Sequence, residues 1–182
     1  MICRKTEHGA TMANACILSL IVQDDHASIF RGLSHPHVVR HYGVRFDTLE
    51  AAQEQMDWYT RLEREGTGKW WAIRSTDGAV FFGAIGVNGI IPTHRKGEIG
   101  FWLLPEHWGQ GLIYTVLPLV LEHAFGALGL HRLEAQVETE NPASRRVLEK
   151  AGFRYEGTLR DYELKDGRFL SLDILSMLAS DR

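Results

Sequence analysis

Three features of this sequence predict a mixed α/β fold built on a single sheet. Short apolar runs with two-residue alternation recur between longer runs with helical spacing. The stretch from Glu98 to Glu138 reads as strand–helix–strand, which calls for a parallel strand pair joined by a right-handed crossover. Other strands are separated by Asp77-Gly78 and Asp166-Gly167, turn dipeptides that send the chain back antiparallel.

Ile17 to Val22 is the first expected strand. Asp24 then offers an N-cap for a helix carrying Ala27, Ile29, Phe30 and Leu33. Pro36 stands at a helix start and Gly43 at a stop. Asp47 or Thr48 is expected to cap the next helix, with Asp47 and Glu50 as a capping box and Leu49, Ala52, Met56, Tyr59 and Leu62 in helical register. Gly66 ends it. Trp70 to Arg74 and Val80 to Val87 are strands around Asp77-Gly78, the second with a bend at Asn88-Gly89. Glu98 to Leu104 follows, with Glu98, Gly100, Trp102 and Leu104 on one face and Ile99, Phe101 and Leu103 on the other. After a glycine turn comes an apolar helix, interrupted by Pro118 and ending near Gly129. Pro118 predicts a kink, because it cannot donate to the Tyr114 carbonyl. Leu133, Ala135 and Val137 alternate with Arg132, Glu134 and Gln136 in the next strand. "NPASRRVLEKAGF" reads as a whole helix, with Asn141 as N-cap, Pro142 at N1, Val147, Leu148 and Ala151 as the buried stripe, and Gly152 at C′ before Phe153. Two strands around Asp166-Gly167 finish the chain.

The bulk properties exclude several classes. The chain has 182 residues, 45% hydrophobic and 24% charged, with net charge -3 and a pI near 6.3. No basic excess points to nucleic acid and no polybasic block to a membrane surface. Cys3 and Cys16 make neither a disulfide framework nor a zinc spacing, which fits a reducing, cytoplasmic compartment. The apolar run Ala15 to Val22 is too short to span a bilayer, and Gln23-Asp24-Asp25 follows it where a secretory leader would have small residues. Met12 is a natural start. Residues 1–11 are expected to be a disordered extension and 12–182 a single domain.

The glycine turn after the Glu98 strand, "PEHWGQG", is where chemistry concentrates. A strand, a glycine turn and a helix start make an anion site, because the first helical N–H groups lack intrahelical partners and the helix dipole favours negative charge. Glycines let backbone approach a phosphate closely. Gly109-Gln110-Gly111 opens a dinucleotide fingerprint, but Tyr114 stands where the third glycine belongs. A P-loop fails for want of Gly-Lys-Ser/Thr. An acyl-CoA pyrophosphate site and a purely structural turn both remain open on the glycines alone.

The wider series "GEIGFWLLPEHWGQG", "LGLHRLEAQVETENPASRRVLEKAGF" and "EGTLRDYELKDG" resembles the GNAT superfamily of N-acetyltransferases, and looks most like the branch that acetylates N-terminal amines of ribosomal proteins. The resemblance runs from about Ile17 to Leu178 and is specific from Glu98 to Gly167. It implies a central, mostly antiparallel mixed sheet with one parallel pair splayed at the cofactor site, flanked by helices. It implies acetyl-CoA as cosubstrate, no metal, and an amine acceptor such as a protein N-terminus. The family's cofactor pattern, Q/R-x-x-G-x-G/A, falls on Glu106 to Gly111, with Glu106 departing from its first slot. By that pattern the backbone of Trp108, Gly109, Gln110, Gly111 and Leu112, with Ile113 behind, holds the CoA pyrophosphate. The strand before it pairs with the pantetheine arm through Phe101, Trp102, Leu103 and Leu104, and an N–H at Leu103 or Leu104 polarises the thioester carbonyl. Asn141 contacts the arm besides capping its helix, and Ser144 sits near the sulfur.

Acetyl transfer needs an amine that has lost its proton, a polarised carbonyl and, for some leaving thiols, a proton donor. Glu98 is the candidate base: its position matches family carboxylates, and its apolar neighbours Gly100 and Trp102 are expected to raise its pKa. Ser144 is the candidate donor, because Leu148 occupies the slot where many of these enzymes carry a tyrosine acid. The ribosomal-protein branch commonly lacks that tyrosine. His35, His37 and His41 lie close in sequence without an acidic partner to complete a metal site, and are expected at the acceptor mouth or in solvent. Tyr42 and Tyr162 are placed near the acceptor by family topology. Three functions stay open at this level: acetylation of a protein N-terminus, acetylation of a small amine such as a polyamine, amino acid or aminoglycoside, and non-catalytic acyl-CoA binding, in a monomer or homodimer.

Overall fold

The computed structural model describes residues 16–182. The expected extension at 1–11, the Met12 start and Cys3 lie outside the described residues. Seven strands form one sheet in the order β1-β2-β3-β4-β5-β7-β6. They are β1 (Cys16–Leu20), β2 (Lys69–Ser75), β3 (Phe81–Ile91), β4 (Lys96–Leu103), β5 (Arg132–Glu138), β6 (Arg154–Lys165) and β7 (Arg168–Leu178). The helices are α1 (His26–Leu33), α2 (Pro36–Val39), α3 (Gln53–Glu65), α4 (Leu112–Glu122) and α5 (Pro142–Lys150). Every neighbouring pair is antiparallel except β4 and β5. Those two are joined through α4, so the expected parallel strand–helix–strand unit is present.

The parallel pair is short. It runs only over Lys96↔Arg132, Gly97↔Leu133 and Glu98↔Glu134. Beyond Glu98, β4 stays with β3 as far as Gly83↔Leu103, while β5 stays with β7 as far as Glu138↔Leu172. The sheet therefore opens into a notch between two strands that each keep a partner on the outer side.

Alternation along β4 divides its side chains between two cores. Ile99 joins Val116, Leu117, Leu133 and Leu148 on the α4–α5 face, with Phe101 and Leu103 packed against that cluster. Trp102 and Leu104 join Ile29, Leu33, Met56, Tyr59 and Trp70 on the α1–α3 face. Gly32 permits this second packing: a Cβ there would lie 2.1 Å from Trp102 Cζ3. The α5 termini form as the sequence dictates. Asn141 Oδ1 accepts from Ser144 N–H, and Phe153 N–H and Gly152 N–H close a Schellman motif on the carbonyls of Leu148 and Glu149. Asp166 and Gly167, both at positive φ, make the β6–β7 hairpin turn.

The N-terminal helix starts differ from expectation. Asp24 does not cap α1. A 3-10 turn, Gln23–Asp25, precedes the helix, and Asp25 is buried with its carboxylate on Val22 N–H and the Arg74 guanidinium. Burying the carboxylate opposite an arginine is what selects Asp25 over its neighbour. The Asp47/Glu50 capping box is absent too. Asp47 pairs with Arg45, Thr48 Oγ1 accepts from Ala51 N–H in a turn, and α3 begins only at Gln53. Leu49, expected in the buried stripe, is exposed. Pro118 lies inside α4, which passes into a π-helical turn at His123–Ala127. Among the described residues, no helix is long and apolar enough to cross a membrane.

Candidate active site

The notch between β4 and β5 is the floor of a cleft of about 620 Å³. Its walls come from β4 (Glu98 to Leu103), the turn before α4 (Trp108, Gly109), β5 and its exit (Ala135 to Glu138), the start of α5 (Asn141 to Ser144) and the segment after α2 (His41 to Gly43). Of the residues expected at the site, Glu98, Phe101, Trp102, Leu103, Trp108, Gly109, Ile113, Asn141 and Ser144 line this cleft. Gln110, Gly111 and Leu112 do not line it. They fill the chain between Gly109 and Ile113, which do.

Backbone direction along β4 follows from its register. Leu104 N–H donates to Phe82 O at 2.9 Å, and Trp102 lies opposite Ala84 in the same antiparallel ladder. Backbone groups alternate sides along a strand, so those of Trp102 and Leu104 turn to β3 and those of Phe101 and Leu103 turn into the notch. This corrects two expectations. Leu104 cannot polarise a carbonyl in the cleft, because its N–H is bonded to β3, and Trp102 lines the cleft without offering backbone to it. Leu103 O in turn accepts from Trp108 Nε1 at 2.9 Å. The Leu103 N–H and both polar groups of Phe101 are left facing the gap.

The turn before α4 has the form an anion needs. Gly109 and Gly111 hold φ of 72° and 75°, and a Cβ on either would meet nothing within 4 Å. Gly111 is the N-cap of α4 and has no side chain to cap it. The first intrahelical bond runs from Thr115 N–H to Gly111 O. The N–H groups of Leu112, Ile113 and Tyr114 therefore have no acceptor in the helix. Trp108 N–H is not available to a ligand, since it donates to Pro105 O at 3.1 Å. An open glycine cradle, a helix start without a cap and an unpaired stretch of strand backbone fit the pyrophosphate and extended pantetheine arm of CoA. Glu106, the departure from the family pattern, points away to an ion pair with Arg31.

At the other end of the notch stand carboxylates. Burial pushes the Glu98 pKa up, and the nearby charges of Glu134 and Glu163 push it further. The expected apolar setting is thus only part of the cause. Glu163, on β6, has no role assigned from the sequence; it lines the cleft with Glu98. Gln136 Nε2 reaches Glu98 Oε2 at 3.5 Å. Burial, together with Tyr59 and Glu98, holds the Tyr42 hydroxyl well above its ordinary pKa, so Tyr42 is a neutral wall of the cleft. Tyr162 is exposed and is not on the cleft wall. Of the three clustered histidines, His37 and His41 line the cleft, whereas His35 caps α2 through His37 N–H. No group of three or more His, Cys, Asp or Glu side chains among the described residues is placed to hold a metal ion.

At the mouth, Glu138 ends β5 and accepts from His41 Nδ1 at 2.6 Å and Lys165 Nζ at 2.9 Å. Neither contact was legible in the sequence. Ser144 occupies the first turn of α5 beside Asn141, and Leu148 lies one turn on, buried in the core and offering only methyl groups to the cleft.

Comparison with known proteins gives a consistent picture. A profile of the acetyltransferase (GNAT) domain matches residues 16–154. The chain is 36% identical over 163 residues to the uncharacterized N-acetyltransferase YoaA of Bacillus subtilis, covering 89% of this chain and 92% of that protein. It is 29% identical over 117 residues to the ribosomal-protein-serine acetyltransferase of Escherichia coli, 64% of each. The fold superposes with a TM-score of 0.81 on spermidine N-acetyltransferase from Vibrio cholerae in complex with CoA and spermine, at 21% identity, over 91% of this chain and 96% of that one.

Proposed function

Because the chain belongs to the acetyltransferase (GNAT) family, its activity is acetyl-CoA-dependent N-acetylation, and we propose that its acceptor is the N-terminal α-amine of a protein. Residues 12–182 form the acetyltransferase domain in this reading, and the enzyme works in the cytoplasm. Bound acetyl-CoA supplies an acetyl group activated as a thioester. Gly109, Gly111 and the first N–H groups of α4 would hold its pyrophosphate, and the notch-facing backbone of Phe101 and Leu103, with Asn141, its pantetheine arm. Leu103 N–H is the donor aimed where the thioester carbonyl oxygen needs one.

Glu98 takes the proton from the incoming ammonium. A free α-amine has a pKa of roughly 7.7–8.0 and a lysine amine one near roughly 10.4. A carboxylate whose pKa is raised lies closer to the first and is the better matched base for it. Ser144, in the first turn of α5 and on the cleft wall, is the donor to the leaving thiolate in this reading, since Leu148 has no proton to give. Leu148 is also the observation that carries the choice of acceptor: the branch this chain resembles, acting on ribosomal-protein N-termini, commonly lacks a tyrosine there. A small polyamine acceptor is the second reading, favoured by the four glutamates that line the cleft, Glu98, Glu138, Glu140 and Glu163.

A thiol-release assay with acetyl-CoA separates the two. Peptides with a free N-terminus are expected to turn over at least tenfold faster, per kcat/KM, than the same peptides with a blocked N-terminus and an internal lysine, and faster than spermidine. Preference for spermidine or for the blocked peptide would overturn the acceptor assignment and leave N-acetylation intact.

A further inference from the structure

The four cleft glutamates are not equivalent. Glu140 accepts from Arg168 Nη2 at 2.9 Å, with Arg40 Nη2 at 3.9 Å. Glu138 is bound more closely. Its side chain is 11% exposed, and Lys165 Nζ reaches it at 2.9 Å from the end of β6. The same ammonium donates to Arg40 O at 2.7 Å and Tyr42 O at 3.3 Å. Three acceptors thus meet the three donors of one ammonium. The seat joins three distant parts of the chain: the segment after α2, the end of β5 and the β6–β7 hairpin. Among the described residues no cation contacts Glu98 or Glu163, and burial first, then the charges of Glu134 and Glu163, raise the Glu98 pKa.

A row of carboxylates in one cleft is suited to successive ammonium groups of a polycation. Here the chain has placed its own ammonium on one of them, deep enough that solvent screens it weakly. We propose that Lys165 is a specificity-determining residue: it occupies the seat that the second ammonium of a polyamine would take, and so restricts the acceptor to one carrying a single positive charge at its reacting end. The inference rests on the reading of this cleft as the acceptor site.

Lys165→Met removes the ammonium and leaves Glu138 with only His41. A buried carboxylate deprived of its cation becomes a strong attractor for another. Titration of spermidine into the CoA-bound protein is expected to give a Kd at least tenfold lower for Lys165→Met than for the parent chain. The kcat/KM for spermidine should rise at least tenfold, and that for a singly charged N-terminal peptide should change less than about threefold. Arg168→Gln, which leaves the more exposed Glu140 only the looser Arg40 contact at 3.9 Å, should change spermidine affinity less than about threefold. If Lys165→Met does not melt cooperatively, Lys165→Gln carries the same test, since its amide keeps two N–H donors for the Arg40 and Tyr42 carbonyls. An unchanged spermidine Kd in a cooperatively folded variant overturns the proposal. So does a parent chain that already binds spermidine as tightly as the variant. The binding arm decides this inference and the peptide arm decides the acceptor, so either can fail alone.

Discussion

Glu98→Gln is expected to lower kcat by roughly 10²–10⁴-fold, the usual reach of a positioned general base, with the KM for acetyl-CoA changed less than about twofold. Glutamine keeps the volume of glutamate and a carbonyl oxygen for Gln136, but it cannot take a proton from an ammonium. Glu98 stands at the closed end of the notch, where β4 and β5 still pair, and the glycine turn follows the far end of β4. A variant that binds CoA normally and turns over at the parent rate would remove Glu98 as the base. Glu163 would then be the first residue to examine, because among the described residues it is the other carboxylate lining the cleft with no cation on it.

The raised pKa fixes the sign of two pH effects. Activity should fall as pH drops through the raised Glu98 value, since only the carboxylate form accepts a proton. Glu163→Gln withdraws one of the charges that push that value up, so the acidic limb of kcat/KM should move to lower pH. Stability runs the opposite way. A carboxyl with a raised folded-state pKa binds its proton more tightly folded than unfolded, so its ionisation destabilises the fold as pH rises above the ordinary carboxylate value. Glu98→Gln has no such penalty. Its melting temperature should match the parent below about pH 4, where an ordinary glutamate is protonated, and exceed it at neutral pH. A gain in stability joined to a loss of turnover is the signature of a residue strained for function; loss of both would mark Glu98 as structural.

Local signals and long-range contacts differ in how well the sequence carried them. The α5 caps, the Asp166-Gly167 turn and the alternation of β4 depend on residues within a few positions of one another, and each is where the residues place it. The failures are contacts across the fold. Asp25 rather than Asp24 is engaged because Arg74, forty-nine residues on, meets it. Lys165 finds Glu138 across twenty-seven residues, and His41 finds it across ninety-seven. No periodicity encodes such pairings. The β4 backbone is an intermediate case. The strand was evident, but which of Leu103 and Leu104 faces the notch depends on register with β3, and a one-residue change would reverse it. Glu163 lies just past a point where the β6–β7 pairing slips, with Asp161 at φ 50°, so alternation read along β6 could not place it.

Gly111→Asp should weaken CoA binding by roughly hundredfold. Two effects contribute and can be separated. The first is conformational: Gly111 holds φ of 75°, a region that costs most L residues about 1–2 kcal/mol, although aspartate and asparagine tolerate it better than others. Gly111→Asn therefore measures shape and strain without charge. The second is electrostatic. Space is open around the position, so the new carboxylate would stand at the head of α4, where a pyrophosphate takes the uncapped N–H groups. Two unit charges about 5 Å apart repel by about 3 kcal/mol at an effective dielectric of 20, or roughly a hundredfold in Kd. Calorimetry should then rank CoA affinity as parent, Gly111→Asn and Gly111→Asp in falling order, with the last gap narrowing in high salt. Pantetheine, which lacks the pyrophosphate, should bind the two variants alike. Equal CoA affinity of Gly111→Asp and Gly111→Asn would mean that the phosphates lie elsewhere and that the glycines serve only the turn. The pantetheine comparison gives that outcome a single meaning, because loss of both ligands together would locate the damage in the fold of α4 instead.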